Sequence, residues 1–426
     1  MHEIAIRGAR VLLNDGLREV EVGLDGGEVT EVAEEVAPAM VEHEADGALL
    51  LPGLIDDHVH FREPGKEEKE DFATGTAAAA HGGVTTAIEI QNNAPLMISR
   101  EAVEAKLALV RPKSRVNVGV YGSANRASQG RLAEFADLVF GFKIFLAPSH
   151  GDEGVDTDVM LSLLLEEVAR IGSVAVIHAE DRAMIDAGIE AHARAGAAGW
   201  SKARSAAAEV KAVERAIRLC ERTGCRIHLF HLSSAGAVDA VADAKARGLP
   251  VTAATCPHYV VFTEDDTARV GGLLKCNPSI KSAADRARLR EGLRDGTLDV
   301  IETDHAPHLP EEKRAPFETN PSGLSGVDVF LPVLLHLVKE GVLTLDTLVE
   351  RACRAPARLY GIERKGEIAA GRDADLVLVD DSRPWTPTES DFESKAKLSP
   401  WAGFEFPGRV LKTFVGGKVV WEERGD

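Results

Sequence analysis

From about residue 53 to residue 360 the chain alternates short apolar runs with longer alanine-rich stretches. This alternation restricts it to architectures built on a parallel sheet with helices packed outside. The runs are the segment ahead of His58, then 85–90, 116–120, 142–146, 174–178, 226–231, 251–254 and 299–304. Eight strands separated by helices predict an α/β fold, a (β/α)8 barrel of the TIM type over residues 53–364. In such a barrel the chemistry belongs at the C-terminal ends of the strands.

The two ends of the chain read differently. Residues 1–52 are short strand-like runs broken by Asn14-Asp15-Gly16 and Asp25-Gly26-Gly27, and β patterning returns after residue 365 in 374–379 and 411–421. Gly416-Gly417 is a two-residue hairpin signal. The expectation is one small β domain built from both termini, 1–52 plus 365–426, with 381–400 as an extended crossing loop. The charge, 49 − 68 = −19, comes without a basic run, which excludes the footprint expected for nucleic acid or an anionic membrane surface. Neither a signal-peptide pattern nor an apolar stretch of about 18 residues is present, so the expected setting is cytoplasmic. Five cysteines without a Cys-x-x-Cys pair give no disulfide framework and no thiolate site, so any metal should be held by nitrogen and oxygen.

Ligand-type residues fall at the strand ends. His58 and His60 close the first strand on alternate positions, so both side chains reach one point. Lys143 lies in the fourth strand, His178 ends the fifth, His231 the sixth and Asp304 the eighth. A lone histidine or aspartate at such a place is commonly a hydrogen-bonded structural residue or a cap. Their shared position, on strands that meet at one mouth, points instead to a metal centre. His81, His192 and His336 lie in helical stretches, His2 and His43 near the N-terminus, and His228, three residues before His231, is expected on the opposite, outward strand face. Lys143 among Phe142, Ile144 and Phe145 is costly to bury as a cation. Three resolutions are open: a depressed pKa, pairing with a carboxylate, or addition of carbon dioxide to give a carbamate that bridges two metals. Two metals would lower the pKa of a shared water and polarise a carbonyl, with Asp304 as general base and acid.

With these motifs in view the chain resembles the dihydroorotases of the amidohydrolase superfamily. The resemblance rests on Asp57-His58-Val59-His60-Phe61-Arg62-Glu63-Pro64-Gly65 and on Glu302-Thr303-Asp304-His305-Ala306-Pro307-His308 with Glu311-Glu312-Lys313. Lys275-Cys276-Asn277-Pro278 and Asp295-Gly296-Thr297-Leu298-Asp299 extend it over most of the chain. It implies reversible hydrolysis of (S)-dihydroorotate to N-carbamoyl-L-aspartate, a step of pyrimidine synthesis. It also implies two zinc ions, held by His58, His60 and Asp304 on one side and by His178 and His231 on the other. Arg62, Asn92 and His308 would bind the substrate carboxylate, and Asn277 with the backbone near Ser322 and Gly323 would hold the ring.

Two departures stand out. Gln91-Asn92-Asn93 occupies the place of a common Pro-Asn-Thr. The segment Phe142-Lys143-Ile144-Phe145-Leu146-Ala147-Pro148-Ser149 is similar to that of hydantoinases and allantoinases with a carboxylated lysine, whereas many related bacterial enzymes bridge their metals with the aspartate of an Asp-Asp-Gly. Gly151-Asp152-Glu153-Gly154 is the nearest match, so Asp152 competes with Lys143 for the bridge, and the apolar strand favours carboxylated Lys143. The rival activities are another cyclic amidase, on a hydantoin or allantoin, and a silent family member supporting a transcarbamoylase. The expected partner is a small-molecule substrate, and the resemblance leaves room for a homodimer and an aspartate transcarbamoylase partner.

Overall fold

The structure is a computed structural model that describes residues 1–148, 152–192 and 195–423. Ser149 and Gly151, quoted in the two bridge segments, lie outside the described residues. The chain opens with β1 (His2–Leu13), β2 (Gly16–Asp25) and β3 (Glu28–Ala33), joined by the two turns expected from sequence. The runs on either side of Gly8 form one strand, because the register slips between Ile6 and Ala9 and the strand continues past the bulge. Next, β4 (Ala39–Glu44) and β5 (Leu49–Pro52) pair parallel with β1. The sequence reading had no strand at β4, whose mostly exposed side chains carry no apolar alternation.

The barrel follows: β6 (Leu54–Val59), β7 (Val84–Glu89), β8 (Asn117–Val120), β9 (Gly122–Ser123), β10 (Phe142–Phe145), β11 (Val174–His178), β12 (Arg226–Leu229), β13 (Val251–Thr255) and β14 (Val300–Ile301). The ladders β6-β7-β8 and β9 to β14 are parallel throughout. Only Tyr121 separates β8 from β9, so these two are one strand and the barrel has the eight positions expected from sequence. Its last seam is closed between β6 and the residues following β14. There Val59 bridges His305, the His60 amide donates to the His305 carbonyl at 2.8 Å, and Asp56 accepts from the Thr303 amide at 3.0 Å.

The helices end where local chemistry stops them. Thr157 caps helix Asp158–Ile171 through the Met160 amide and Ser205 caps helix Ala206–Thr223 through the Ala208 amide. Gly172 and Gly224 close them at φ of 78° and 68°, a conformation that side chains other than glycine resist. Leu161, Leu164, Leu165 and Val168 form the face that packs inward. No described helix is long and apolar enough to cross a membrane.

The chain then returns to the first sheet with β15 (Leu376–Asp380), β16 (Arg409–Val415) and β17 (Lys418–Glu422). The order is β17-β16-β15-β5-β1-β2-β3, with β4 beside β1, so both termini share one sheet. Gly416 and Gly417, at φ of 53° and 74°, make the β16-β17 turn. The segment between β15 and β16 crosses back over the barrel: Ser399 Oγ donates to the Ser325 carbonyl at 2.6 Å, and Trp401 is buried. Leu50 faces Val11 of β1 and Leu378 of β15 and is fully buried in the core of the terminal sheet. Leu50→Ala should therefore cost about 2–5 kcal/mol, read as a lowered denaturant midpoint with the barrel's strand content retained.

Candidate active site

A cavity of about 150 Å³ opens at the C-terminal mouth of the barrel. Its walls include His58, His60, Arg62, Asn92, His178, His231, Asn277, Asp304, Ser322 and Gly323, so most of the residues singled out in sequence meet here. Asp304 Oδ1 lies 3.3 Å from both His58 Nε2 and His60 Nε2, and these three residues form a metal-competent cluster. Outer partners set each ring. His60 Nδ1 donates to the Ile90 carbonyl at 2.9 Å, and His58 Nδ1 faces Glu302 Oε1 at 3.1 Å, leaving both Nε2 atoms turned inward. His178 is turned the other way round, its Nε2 held at 2.9 Å by Glu180 and its Nδ1 3.0 Å from His231 Nε2. Burial holds all four imidazoles below their ordinary pKa, as neutral ligands require.

Three of the five non-glycine residues with left-handed φ among the described residues are Arg62 (65°), His231 (41°) and Asp304 (47°). Such conformations cost about 1–3 kcal/mol each and collect where function holds a side chain in place. At His231 the effect corrects the sequence reading. Strand β12 ends at Leu229, so alternation does not carry through to His231, and His228 shares the inward face of Phe230. Rather than pointing outward, His228 is fully buried in the barrel, with Nδ1 2.8 Å from Thr252 Oγ1 and Nε2 3.5 Å from Asp57 Oδ2.

Lys143 rises beneath the histidines. It is buried, its Nζ has no hydrogen-bond partner among the described residues, and it sits over the rings of Phe230 and Phe145 at 4.3 and 4.8 Å. Burial lowers its pKa to about 7, against the opposing pull of Glu302, Asp304 and Asp57. Asp57 and Glu302 are themselves raised by burial; Asp57 pushes Glu302 up further, while the hydrogen bonds from Tyr360 and Glu302 oppose the rise at Asp57. Asp152, the other bridge candidate, has both oxygens engaged: Oδ2 accepts from Asn125 Nδ2 at 2.8 Å and Oδ1 from the Gly154 amide at 2.9 Å. It does not line the cavity.

The opposite wall is basic. Arg62 is buried, with Nη1 3.0 Å from Asn92 Oδ1, Nε 3.2 Å from the Pro307 carbonyl and Nη2 3.5 Å from His308 Nε2. No carboxylate among the described residues forms an ion pair with it, and burial lowers its pKa to about 10. His308 lies behind Ser322, whose carbonyl is 3.0 Å from Nε2. The Gly323 amide and carbonyl are already bonded, to the Lys275 carbonyl at 2.8 Å and to Lys313 Nζ at 2.7 Å. Asn277 contributes a buried Oδ1 that has no partner among the described residues.

Sequence reasoning missed the supporting carboxylates and Arg204. Glu180 is held by Arg204, which also lines the cavity, and although burial opposes it this guanidinium keeps the carboxyl well below the usual range. Glu302 shows in the sequence only as a motif residue, yet its Oε1 also accepts the His231 amide at 2.9 Å, tying the eighth strand to the sixth. The one sequence signal for Glu180 was its place two residues after His178 at a strand end.

The amidohydrolase family model matches residues 49–420. A dihydroorotase of Anaeromyxobacter dehalogenans is 38% identical over 96% of this chain and 94% of its own length. One of Trichlorobacter lovleyi is 35% identical over 99% of this chain and all of its own. Among solved structures, an L-hydantoinase from Arthrobacter aurescens superposes with a TM-score of 0.94 at 30% identity, covering 99% of this chain and 96% of that one. The chain therefore belongs to the amidohydrolase family and, within it, to the dihydroorotases.

Proposed function

We infer that this protein hydrolyses (S)-dihydroorotate reversibly to N-carbamoyl-L-aspartate, in pyrimidine synthesis. The observation that carries this reading is the pairing of two walls in one cavity: convergent imidazoles and Asp304 on one side, and on the other a buried Arg62 that forms no ion pair with a carboxylate among the described residues. A cyclic amide that also bears a carboxylate satisfies both walls. A hydantoin or allantoin ring without that group leaves the guanidinium unpaired, at the cost of a buried charge.

The donor set fits divalent metal. His58, His60 and Asp304 would hold one ion, and His178 with His231 a second, zinc being the ion such nitrogen and oxygen sets commonly take. When bound, such ions lower the pKa of a water and polarise a carbonyl. The remaining work falls to the chain. Arg62 and Asn92 orient the ring through its carboxylate, a guanidinium fork matching two oxygens. Asp304 takes a proton from the attacking water and returns it to the ring nitrogen as the amide bond breaks, and the walls of the cavity limit competing water.

We further propose that Lys143, as its carbamate, would be the residue that holds both ions. With a pKa near 7 the amine is substantially neutral at neutral pH. Carbon dioxide adds to its nitrogen, one proton leaves to solvent, and the resulting carbamate carries one negative charge on two oxygens. The Nζ between aromatic rings, with no hydrogen-bond partner among the described residues, supports this, while the doubly bonded Asp152 supports a structural turn.

Three outcomes follow. Arg62→Met should cost about 2–5 kcal/mol of transition-state stabilisation on dihydroorotate; unchanged kcat/KM rejects the clamp. Asp304→Asn should lower kcat about a hundred- to ten-thousandfold where metal is retained, because an amide cannot carry the proton; an active variant removes that role. Lys143→Ala should lose metal by elemental analysis and most activity, with partial recovery in short carboxylic acids, while Asp152→Ala is mild. The opposite pattern in that last pair would assign the bridge to Asp152.

A further inference from the structure

Lys69 takes no part in the reaction as described, yet its position is specific. It lies in the loop between β6 and helix Phe72–His81, with Nζ 2.7 Å from Glu312 Oε1 and 3.2 Å from His308 Nδ1. An ammonium can only donate, so His308 Nδ1 must present its lone pair to it. Burial, together with Arg62, Lys69 and Lys313, holds His308 well below its ordinary pKa, so the ring is neutral and carries a single proton. That proton is therefore on Nε2. The far side of the ring agrees, because Nε2 lies 3.0 Å from the Ser322 carbonyl, which can only accept.

This assignment changes the meaning of the contact with Arg62. Arg62 Nη2 and His308 Nε2 are 3.5 Å apart, and with the proton on Nε2 both are donors. Two donors facing one another do not bond; the Nε2 hydrogen goes to the Ser322 carbonyl, and an acceptor oxygen held by Arg62 would compete for it. The other tautomer would reverse this, turning a lone pair toward any anion that Arg62 binds and a hydrogen toward the Lys69 ammonium. We propose that Lys69 is a positioning residue: anchored by Glu312, it fixes His308 with its hydrogen on Nε2, resting on the Ser322 carbonyl beside Arg62, from where it turns to the substrate's carboxylate as Arg62 binds it. This deepens the dihydroorotase reading, on which the identity of that carboxylate rests.

Histidine-labelled metal-loaded enzyme, with the His308 resonances assigned by their loss in His308→Gln, allows the tautomer to be read from its two 15N shifts. The wild type is expected to show Nε2–H; an Nδ1–H wild type overturns the proposal without any variant. In Lys69→Met the two tautomers should mix, and KM for dihydroorotate should rise about tenfold or more with kcat within about threefold, since ground and transition states lose the same charge-assisted contact. Lys69→Arg, which also only donates, should restore both the tautomer and KM. An unchanged KM in Lys69→Met, or a change in kcat alone, rejects the positioning role. Absence of turnover by the wild type would sink the dihydroorotase reading, while the tautomer measurement still decides the part played by Lys69.

Discussion

The site depends on how the barrel closes. Strand β14 has only two residues, too short a ladder to hold the first strand against the last. A buried carboxylate does much of that work: Asp56 accepts the Thr303 amide at 3.0 Å, the Thr303 hydroxyl at 2.6 Å and the His58 amide at 3.3 Å. Burial raises its pKa to about 7, and the bonds from Thr303 and His58 oppose that rise. Residues near position 58 and near position 304 meet across this seam, which brings the His-x-His pair onto Asp304 and carries Arg62 to the Pro307 carbonyl and to His308. Moving the seam by one residue would turn Asp304 away from the histidines, because side chains alternate faces.

Around that seam, charge is sorted by depth. Asp57 and Glu302 lie within the barrel beneath the imidazoles, where Lys143 is the nearby cation, and Glu302 fixes both His58 and the backbone of His231. Basic groups gather on the loops above: Arg62, Lys69, and the buried Lys313 on the carbonyls of Pro321 and Gly323. A chain with formal charge −19 thus presents a locally positive wall to an anionic substrate. Focusing of that kind comes from local placement, and net charge does not reveal it.

What was legible in the sequence was whatever depends on local period. Apolar alternation gave the strands, and a spacing of two put His58 and His60 on one side of β6. Local period fails where the backbone leaves it. His231 adopts φ of 41° one residue beyond Phe230, so counting back by three assigned His228 to the wrong face. Tertiary partners were also out of reach: Glu180 and Arg204 are separated by 24 residues, and nothing in either segment names the other. The choice between Lys143 and Asp152 stayed open in sequence because both are chemically competent, and the difference in their surroundings shows only in three dimensions: among the described residues Lys143 Nζ has no hydrogen-bond partner, while both Asp152 oxygens are bonded.

The same contrast explains the departure at Gln91-Asn92-Asn93. Only Asn92 reaches Arg62 by its side-chain oxygen. Gln91 and Asn93 turn away from the cavity and donate to the loop that carries Arg62: each reaches the Pro64 carbonyl at 2.9 Å, and Asn93 also reaches the Arg62 carbonyl at 3.4 Å. The Gln91 amide has one workable orientation, because the fully buried Lys106, paired with Glu89, donates to its oxygen and leaves the nitrogen for the carbonyl. A cation sealed behind β7 therefore sets the direction of an amide, and that amide anchors the loop on which Arg62 sits at a left-handed φ. The altered neighbours of Asn92 thus brace the Arg62 loop from behind and leave Asn92 as the one residue of the three that lines the cavity.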